Sequence, residues 1–294
     1  MDYELDVITK KGFSAYFLIV ADFLREAKKR NILTNIRGSV AGSVTTYVTG
    51  VTHLNPFEYK IPFERFLNPE RPSAPDIDMD FASDGRDEML DYAREKYGED
   101  KVAQIGTFGT MAARSSVKDA ARAMGYDYSL GDKISKLIPL GAQGFPMTIE
   151  LALEQENSLK KLYSSDEDVK KIIDMAQKIE GSARHISVHA AGVVIAPDDL
   201  TLYTPLQIDP KGGKLITQYD MHDVGEDGAG LIKFDFLGIN ILTTIAQALR
   251  RIKKIHNVDI DIQKIPMDDK KTYKMLTAGY TKGCFQLASD GLTK

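Results

Sequence analysis

The chain has little cysteine and no long apolar run. Its one thiol, Cys284, excludes a disulfide scaffold and a cysteine-rich zinc site, and indicates a reducing compartment. Apolar stretches such as Phe17–Val20 are far shorter than the ~20 residues of a membrane-spanning helix. Asp2 and Glu4 stand where a secretory signal would be basic. These absences predict a cytoplasmic protein with no signal peptide and no membrane partner.

An excess of basic charge is also missing. The 38 Lys and Arg residues stand against 42 Asp and Glu, which gives a net charge of −4. That balance excludes a uniformly basic nucleic-acid surface but permits a local basic groove around an acidic metal centre. A hydrophobic fraction of 43% is typical of a globular protein with a sizeable core. The length predicts one large domain or two modest ones.

Hydrophobic periodicity predicts helices and strands in irregular alternation. Helices are predicted at 2–30 (one or two), before Val51, and at 84–98, 109–125, 129–138, 147–162, 167–181 and 238–256. Strands are predicted at 75–81, 101–106, 186–196, 214–219 and 231–236. The order lacks strict βαβ regularity and therefore favours the α+β class. Turn residues near 139–146, including Gly144, indicate a seam between domains.

The sharpest single feature is an acidic strand. Residues 75–81 alternate acidic and apolar side chains, which predicts that Asp76, Asp78 and Asp80 share one face. Such like charges are costly unless a cation neutralises them. Asp76 and Asp78 could bridge two divalent ions, as in phosphoryl transfer. A solvated strand face is the alternative, at similar weight for this strand alone. A calcium-binding loop is disfavoured because Phe81 stands where an EF-hand needs glycine.

A second acidic strand carries Asp235 between two phenylalanines. A charge in such an apolar strand needs a partner. Lys233, two residues earlier on the same face, is the simple partner. The functional alternative is that Asp235 completes a three-carboxylate metal site, with Lys233 facing a substrate phosphate.

Several basic and small residues could bind phosphate. The turn Arg37-Gly38-Ser39 offers backbone N–H groups and a hydroxyl to a triphosphate, although a plain helix cap is the commoner role of such a turn. Arg114 and Lys118 begin a basic stripe on one predicted helix, which is either a solvated face or the phosphate side of a groove. Arg65 is a further candidate of this type. His185 and His189 are expected to be structural or substrate-positioning rather than metal ligands.

The order and spacing of seven segments resemble the palm of the bacterial replicative DNA polymerase III alpha subunits, the C family of DNA polymerases. The segments are RGSVAGS (37–43), PFERFLNPERPSAPDIDMDF (62–81), QIGTFGTMAA (104–113), KLIP (136–139), RHISVHAAGVVIAP (184–197), TQYD (217–220) and KFDFLG (233–238). The resemblance implies a polymerase-beta-like nucleotidyltransferase palm, a mixed sheet flanked by helices, with a helical thumb insertion.

The resemblance also assigns roles to individual residues. Asp76, Asp78 and Asp235 match the family's catalytic, metal-binding aspartates, whereas Asp80 matches no catalytic position. Gly38 and Ser39 match the Gly-Ser motif near the nucleotide triphosphate. Positions expected to contact phosphates are occupied by Arg37, Arg65 and Lys233. The implied reaction is two-metal addition of dNTPs to a primer 3′-hydroxyl, with Mg²⁺ as the cofactor and Mn²⁺ as a substitute.

The implied domains are a palm in two parts (1–109 and 183–270), a thumb (110–182) and the start of the fingers (271–294). Thr34-Asn35-Ile36 replaces the family's usual Gly-Pro-Gly, and 225–230 is longer and richer in glycine than usual.

We expect a fragment of a longer polymerase that binds primer-template DNA and dNTPs at the nucleoid. Its further partners would be the remaining polymerase regions or other replisome subunits. The alternatives are a catalytically silent DNA-binding or assembly module and a small stand-alone nucleotidyltransferase.

Overall fold

The computed structural model describes residues 1–71, 74–141, 145–225 and 227–293, so the predicted seam residue Gly144 lies outside the described residues. The strands are β1 (Thr34–Arg37), β2 (Asp78–Ala82), β3 (Val102–Thr110), β4 (Ala183–Ile195), β5 (Leu206–Ile208), β6 (Leu215–Thr217) and β7 (Lys233–Ile239). They form one sheet in the order β1-β2-β7-β4-β3-β6-β5. The sheet is mixed because β2 pairs parallel with β7 and antiparallel with β1.

The α-helices of the described residues follow in chain order. They are α1 (Asp2–Lys10), α2 (Ser14–Lys29), α3 (Val44–Val48), α4 (Pro56–Tyr59), α5 (Arg86–Tyr97), α6 (Ala113–Ala123), α7 (Tyr128–Leu137), α8 (Ile149–Gln155), α9 (Asn157–Ser165), α10 (Glu167–Ile179), α11 (Met221–Val224), α12 (Asn240–His256), α13 (Lys270–Thr277) and α14 (Asp290–Thr293). Short 3₁₀ turns cover Ser39–Gly42, Phe63–Arg65, Leu200–Leu202 and Ile262–Lys264. The predicted α+β class, a mixed sheet flanked by helices, is confirmed.

Two local predictions need correction. The acidic strand begins at Asp78, so Asp76 precedes the regular ladder. The helix predicted at 147–162 is two helices, because Glu156 adopts an extended conformation between α8 and α9. Thr34-Asn35-Ile36, which replaces the family's Gly-Pro-Gly, lies in the strand β1.

The chain forms two compact units. The first contains Met1–Gln104, Ala190–Pro205 and Met221–Lys294. Its core places the apolar side chains of β2 and β7 under α2: Phe81 stacks on Phe236 at a ring-centroid distance of 5.4 Å, and Phe23 meets Phe236 edge-on at 4.8 Å. Burial of these rings removes water from one face of the two central strands. Because side chains alternate along a strand, Asp78, Asp80 and Asp235 point to the other face of these strands.

The second unit contains Ile105–His189 and Leu206–Asp220. Its helices α6 to α10 share a core of small and branched apolar residues, among them Val117, Ile134, Ile149 and Ile173. The predicted seam near 139–146 therefore lies inside the sequence range of one unit. The division into palm, thumb and fingers stays a prediction. Among the described residues, no helix is both long enough and apolar enough to cross a membrane.

Candidate active site

Three carboxylates converge at one end of the central strands. Asp78, the first residue of β2, stands directly opposite Asp235 of the parallel strand β7. Asp76 joins them from the segment before β2, and one carboxylate oxygen from each of the three lies within 4.8 Å of the others. The exposure rises from buried Asp235 through half-buried Asp78 to exposed Asp76. The cluster therefore opens from the protein interior to solvent.

Asp235 has one satisfied and one unsatisfied oxygen. Its Oδ2 pairs with Lys233 Nζ at 2.8 Å, whereas its buried Oδ1 has no hydrogen-bond partner. Burial opposes the charge of Lys233, but the hydrogen bond and the charge of Asp235 raise the pKa of the lysine above its ordinary value. The ion pair with Lys233 is thus compatible with a metal-binding role for Asp235, because the pair leaves Oδ1 available as a ligand. Leaving a buried carboxylate oxygen without a partner is costly, and a bound cation would remove this cost.

The ionised form of Asp78 is also disfavoured by its surroundings. Burial, then the charge of Asp76 and, to a smaller extent, that of Asp235 raise its pKa above the ordinary value, although Arg37 acts in the opposite direction. Desolvation and like charges both disfavour an ionised carboxylate, and a bound divalent cation would reverse both effects. The donor set consists of hard oxygens, which fits Mg²⁺ or Mn²⁺. Asp76, Asp78 and Asp235 could therefore hold such ions.

Asp80 lies outside this cluster and has a different partner. Its carboxylate is buried and accepts two hydrogen bonds from Arg37, from Nε at 2.5 Å and from Nη2 at 2.8 Å. The two strands make this possible, because Arg37 stands opposite Asp78 and reaches diagonally to Asp80. The hydrogen bonds to Asp80 raise the pKa of the Arg37 guanidinium further. Contact of Arg37 with a phosphate stays a prediction.

The turn after β1 begins at the level of the carboxylates, since Arg37 pairs with Asp78. Gly38 has φ +99° and ψ −166°, a conformation that L side chains rarely adopt. An added Cβ at Gly38 would meet no atom within 4 Å, so backbone conformation rather than space requires glycine. Ser39 follows and opens the 3₁₀ turn to Gly42. The chain thus turns sharply directly after the residue that pairs with Asp78.

The remaining residues that were predicted to contact phosphate are Arg65, Arg114 and Lys118. Arg65 is exposed at the end of the 3₁₀ turn Phe63–Arg65 of the first unit. In the second unit, the Arg114 guanidinium donates to the carbonyl of Ile138, and Lys118 Nζ pairs with Asp132 at 2.8 Å. These contacts favour a structural role for Arg114 and Lys118, and their contact with phosphate stays a prediction.

Sequence reasoning missed Tyr16 of α2. The backbone N–H of Ile77, which lies between Asp76 and Asp78, donates to the buried Tyr16 hydroxyl oxygen at 3.2 Å. The Tyr16 ring stacks on Phe234 with centroids 5.0 Å apart. Tyr16 thus holds the segment that carries two of the carboxylates. An apolar helix pattern gives no signal for such a contact across 61 residues of chain.

A mixed sheet whose neighbouring strands bring acidic side chains together is consistent with the nucleotidyltransferase palm that the sequence resemblance implies. The sequence model described as "Bacterial DNA polymerase III alpha NTPase domain" matches residues 1–238. A second, "Bacterial DNA polymerase III alpha subunit finger domain", matches residues 241–294. The chain belongs to the bacterial DNA polymerase III alpha subunit family.

Curated DNA polymerase III alpha subunits match almost the whole length of this chain. DNA polymerase III subunit alpha of Pseudomonas fluorescens is 48% identical over 297 residues, which cover 99% of this chain and 25% of that protein. The subunits of Thermus aquaticus and Aquifex aeolicus are each 45% identical, again over 99% of this chain and over 24% and 27% of their own lengths. The chain spans about a quarter of the length of these relatives.

Proposed function

We propose that this chain carries the catalytic centre of a template-directed DNA polymerase, which adds dNTPs to a primer 3′-hydroxyl. The observation that carries the proposal is the convergence of Asp76, Asp78 and Asp235, with the buried Oδ1 of Asp235 unpartnered. Because the chain belongs to the DNA polymerase III alpha family, we assign these three carboxylates to nucleotidyl transfer. Primer-template DNA and dNTPs are the substrates, and the place of action is the nucleoid.

In this proposal the three aspartates hold two Mg²⁺ ions. When bound, the ions would lower the pKa of the primer hydroxyl and stabilise the charge that develops on the transferred phosphoryl group. The protein's own part is to fix Asp78 and Asp235 on adjacent strands, whose other face is buried by the rings of Phe234 and Phe236.

The triphosphate would lie against the turn at Gly38 and Ser39. Its negative charge would face the exposed Arg65 and the Lys233 ammonium, whereas Arg37, held by Asp80, would present its remaining donor edge. Sequence specificity comes from pairing with the template base, so this site needs contacts to phosphate and a defined metal geometry rather than base readout.

Two measurements test the proposal. Binding of Mn²⁺ to the chain by electron paramagnetic resonance is expected to be lost in Asp78→Asn and Asp235→Asn and retained in Asp198→Asn, an exposed loop aspartate. Primer extension is then measured with the chain alone and with the remaining polymerase regions supplied as a separate polypeptide. Mg²⁺-dependent, templated extension in the mixture supports the proposal.

Other outcomes identify the alternatives. Retained Mn²⁺ binding in both aspartate variants would remove the three-carboxylate site. Metal and DNA binding without extension in the mixture would favour a silent DNA-binding or assembly module. Addition of one nucleotide without a template would favour a stand-alone nucleotidyltransferase.

A further inference from the structure

A buried acid outside the acidic cluster contacts the chain just after the Gly-Ser turn. Glu4 of α1 is 6% exposed. Its Oε1 accepts the N–H of Val44 at 2.9 Å, and its Oε2 accepts the N–H of Thr45 and the hydroxyl of Ser43, both at 2.8 Å. Both carboxylate oxygens are therefore satisfied by the first residues of α3 and its N-cap.

These contacts connect to the turn through a short buried network. Ser43 Oγ also accepts the N–H of Thr46 at 3.2 Å, and Thr46 Oγ1 lies 3.0 Å from the carbonyl oxygen of Val40. Ser43, Thr46 and Val40 are each fully buried. The network therefore runs from the Glu4 carboxylate to the residue that follows Ser39.

The same turn is confined on its other side. A Cβ at Gly42 would lie 2.7 Å from the backbone oxygen of Pro62, so the two segments are in close backbone contact. Tyr3, next to Glu4 on α1, donates from its hydroxyl to Glu64 at 3.2 Å and meets Phe63 edge-on at 6.0 Å. Helix α1 thus contacts both the segment 43–45, which directly follows the Ser39 turn, and the turn that ends at Arg65.

A buried carboxylate is an expensive way to close a gap that an apolar side chain could fill. Its particular capability is to accept several N–H and O–H donors at once and to fix their positions. We infer that Glu4 is a positioning residue for triphosphate binding: it fixes the backbone from Val40 to Thr45 and thereby the orientation of Gly38 and Ser39. This inference rests on the proposed function.

The variant Glu4→Gln tests the inference with little change in volume. One amide N–H₂ replaces an acceptor oxygen and faces a donor, so the turn loses at least one of its three fixed contacts. Binding of a fluorescent deoxynucleoside triphosphate with Mn²⁺ is expected to weaken by about tenfold, the scale of one charge-assisted hydrogen bond. Affinity for Mn²⁺ alone is expected to stay within about twofold, because the aspartates are untouched.

Two further measurements separate positioning from general stability. Amide hydrogen exchange at Val44 and Thr45 is expected to accelerate in Glu4→Gln, whereas exchange in the second unit stays unchanged. Asp6→Asn, an exposed acid of the same helix paired with Lys10, is the matched control and is expected to bind triphosphate like the wild type. If Glu4→Gln does not fold, Glu4→Asp, which keeps the charge but withdraws it by one methylene, is measured in the same way.

The outcomes distinguish this inference from the proposed function. Wild-type triphosphate affinity in folded Glu4→Gln overturns the inference alone, and so does an equal loss of Mn²⁺ and triphosphate binding. A wild-type chain that binds Mn²⁺ but no triphosphate overturns the proposed triphosphate site, and the inference with it. Selective loss of triphosphate affinity with faster exchange at Val44 and Thr45 supports both.

Discussion

Asp78 and Asp235 occupy the same register position on two adjacent parallel strands. Side chains opposite each other on neighbouring strands are close, and like charges in such a pair destabilise the sheet. The raised pKa of Asp78, caused by burial and by the charges of Asp76 and Asp235, expresses this cost. The metal-free protein therefore keeps a repulsive pair at the position where a cation would bind.

Removing one charge should stabilise the metal-free chain. Asp78→Asn removes the like charge directly opposite Asp235, which relieves a cross-strand repulsion of about 1 kcal/mol and is expected to raise Tm by about 2 °C in EDTA. The same change removes one of the proposed metal ligands, so Mn²⁺ should no longer raise Tm. Thermal unfolding with EDTA and with Mn²⁺ gives both values.

Asp198→Asn provides the comparison, because it removes one negative charge from an exposed loop. It should leave Tm in EDTA and the Mn²⁺ response as in the wild type. A lower Tm for Asp78→Asn in EDTA would mean that the carboxylate pair is not repulsive in the folded protein.

The Arg37–Asp80 pair should contribute strongly to stability. Asp80 is 1% exposed, so Arg37→Ala leaves a buried carboxylate without its cation and is expected to cost about 3–5 kcal/mol in urea unfolding. The double variant with Asp80→Ala removes both charges and should recover part of that loss, which gives a measurable coupling energy.

This cycle separates two roles of Arg37. If its function were confined to a phosphate contact, Arg37→Ala would weaken triphosphate binding and leave the urea midpoint unchanged. Arg65→Ala is the natural comparison, because Arg65 is exposed and should affect binding without affecting stability.

Gly38 should resist substitution for conformational reasons alone. With φ at +99°, Gly38→Ala is expected to cost about 1–3 kcal/mol, or to shift the turn and weaken triphosphate binding, although no atom lies near the added Cβ. Urea unfolding and triphosphate titration report these two effects. Gly291→Ala is matched, since that glycine also has open space around it but no positive φ. Equal behaviour of the two variants would show that the Gly38 conformation is not required.

Asp22 should make stability depend on pH in the acid range. Its carboxylate accepts hydrogen bonds from Lys96 Nζ at 2.6 Å and from the hydroxyls of Tyr92 and Tyr97 at 3.0 and 3.1 Å. Burial opposes the charge, but these hydrogen bonds lower the pKa of Asp22 below its ordinary value of 3.8. The stabilisation is therefore complete above pH 3.8 and is lost as the pH falls through the lower, folded-state pKa.

Asp22→Asn is accordingly expected to cost about 1–2 kcal/mol at pH 7 and progressively less below pH 4. Urea unfolding of both proteins across this range measures the difference. Asp91→Asn, which alters an exposed ion pair on α5, should show a small and nearly constant effect. A difference between Asp22→Asn and the wild type that stays constant down to pH 3 would contradict the assignment.

Patterns along single segments were sufficient for much of this fold. Alternation of acidic and apolar residues predicts β2, and an aspartate in an apolar strand predicts a partner for Asp235, because both signals are local. The resemblance to the family implied that the two strands share a site. Parallel pairing of β2 with β7 is not readable from either segment, since nothing in their patterns specifies the neighbour.

The contacts that support the site were beyond such reasoning. β1 has only four residues and too few alternations to reveal a strand, so the pairing of Arg37 with Asp80 was not expected. Glu4 belongs to an amphipathic helix in which a buried acid looks like a surface residue until the chain at Ser43 folds against it. Long-range register and burial, rather than local preference, determine these positions.

The contact between Arg86 and Phe236 has a consequence for how the molecule forms. The Arg86 Nε donates to the carbonyl oxygen of Phe236 at 2.7 Å, across 150 residues of chain. Pairing of β2 with β7 closes a loop of that size, whose entropy must be lost before the contacts compensate it. During synthesis, Asp76 and Asp78 therefore leave the ribosome long before Asp235, and the whole helical unit is made in the interval. Assembly of the acidic cluster is a late folding event, and truncation before β7 leaves one edge of β2 unpaired.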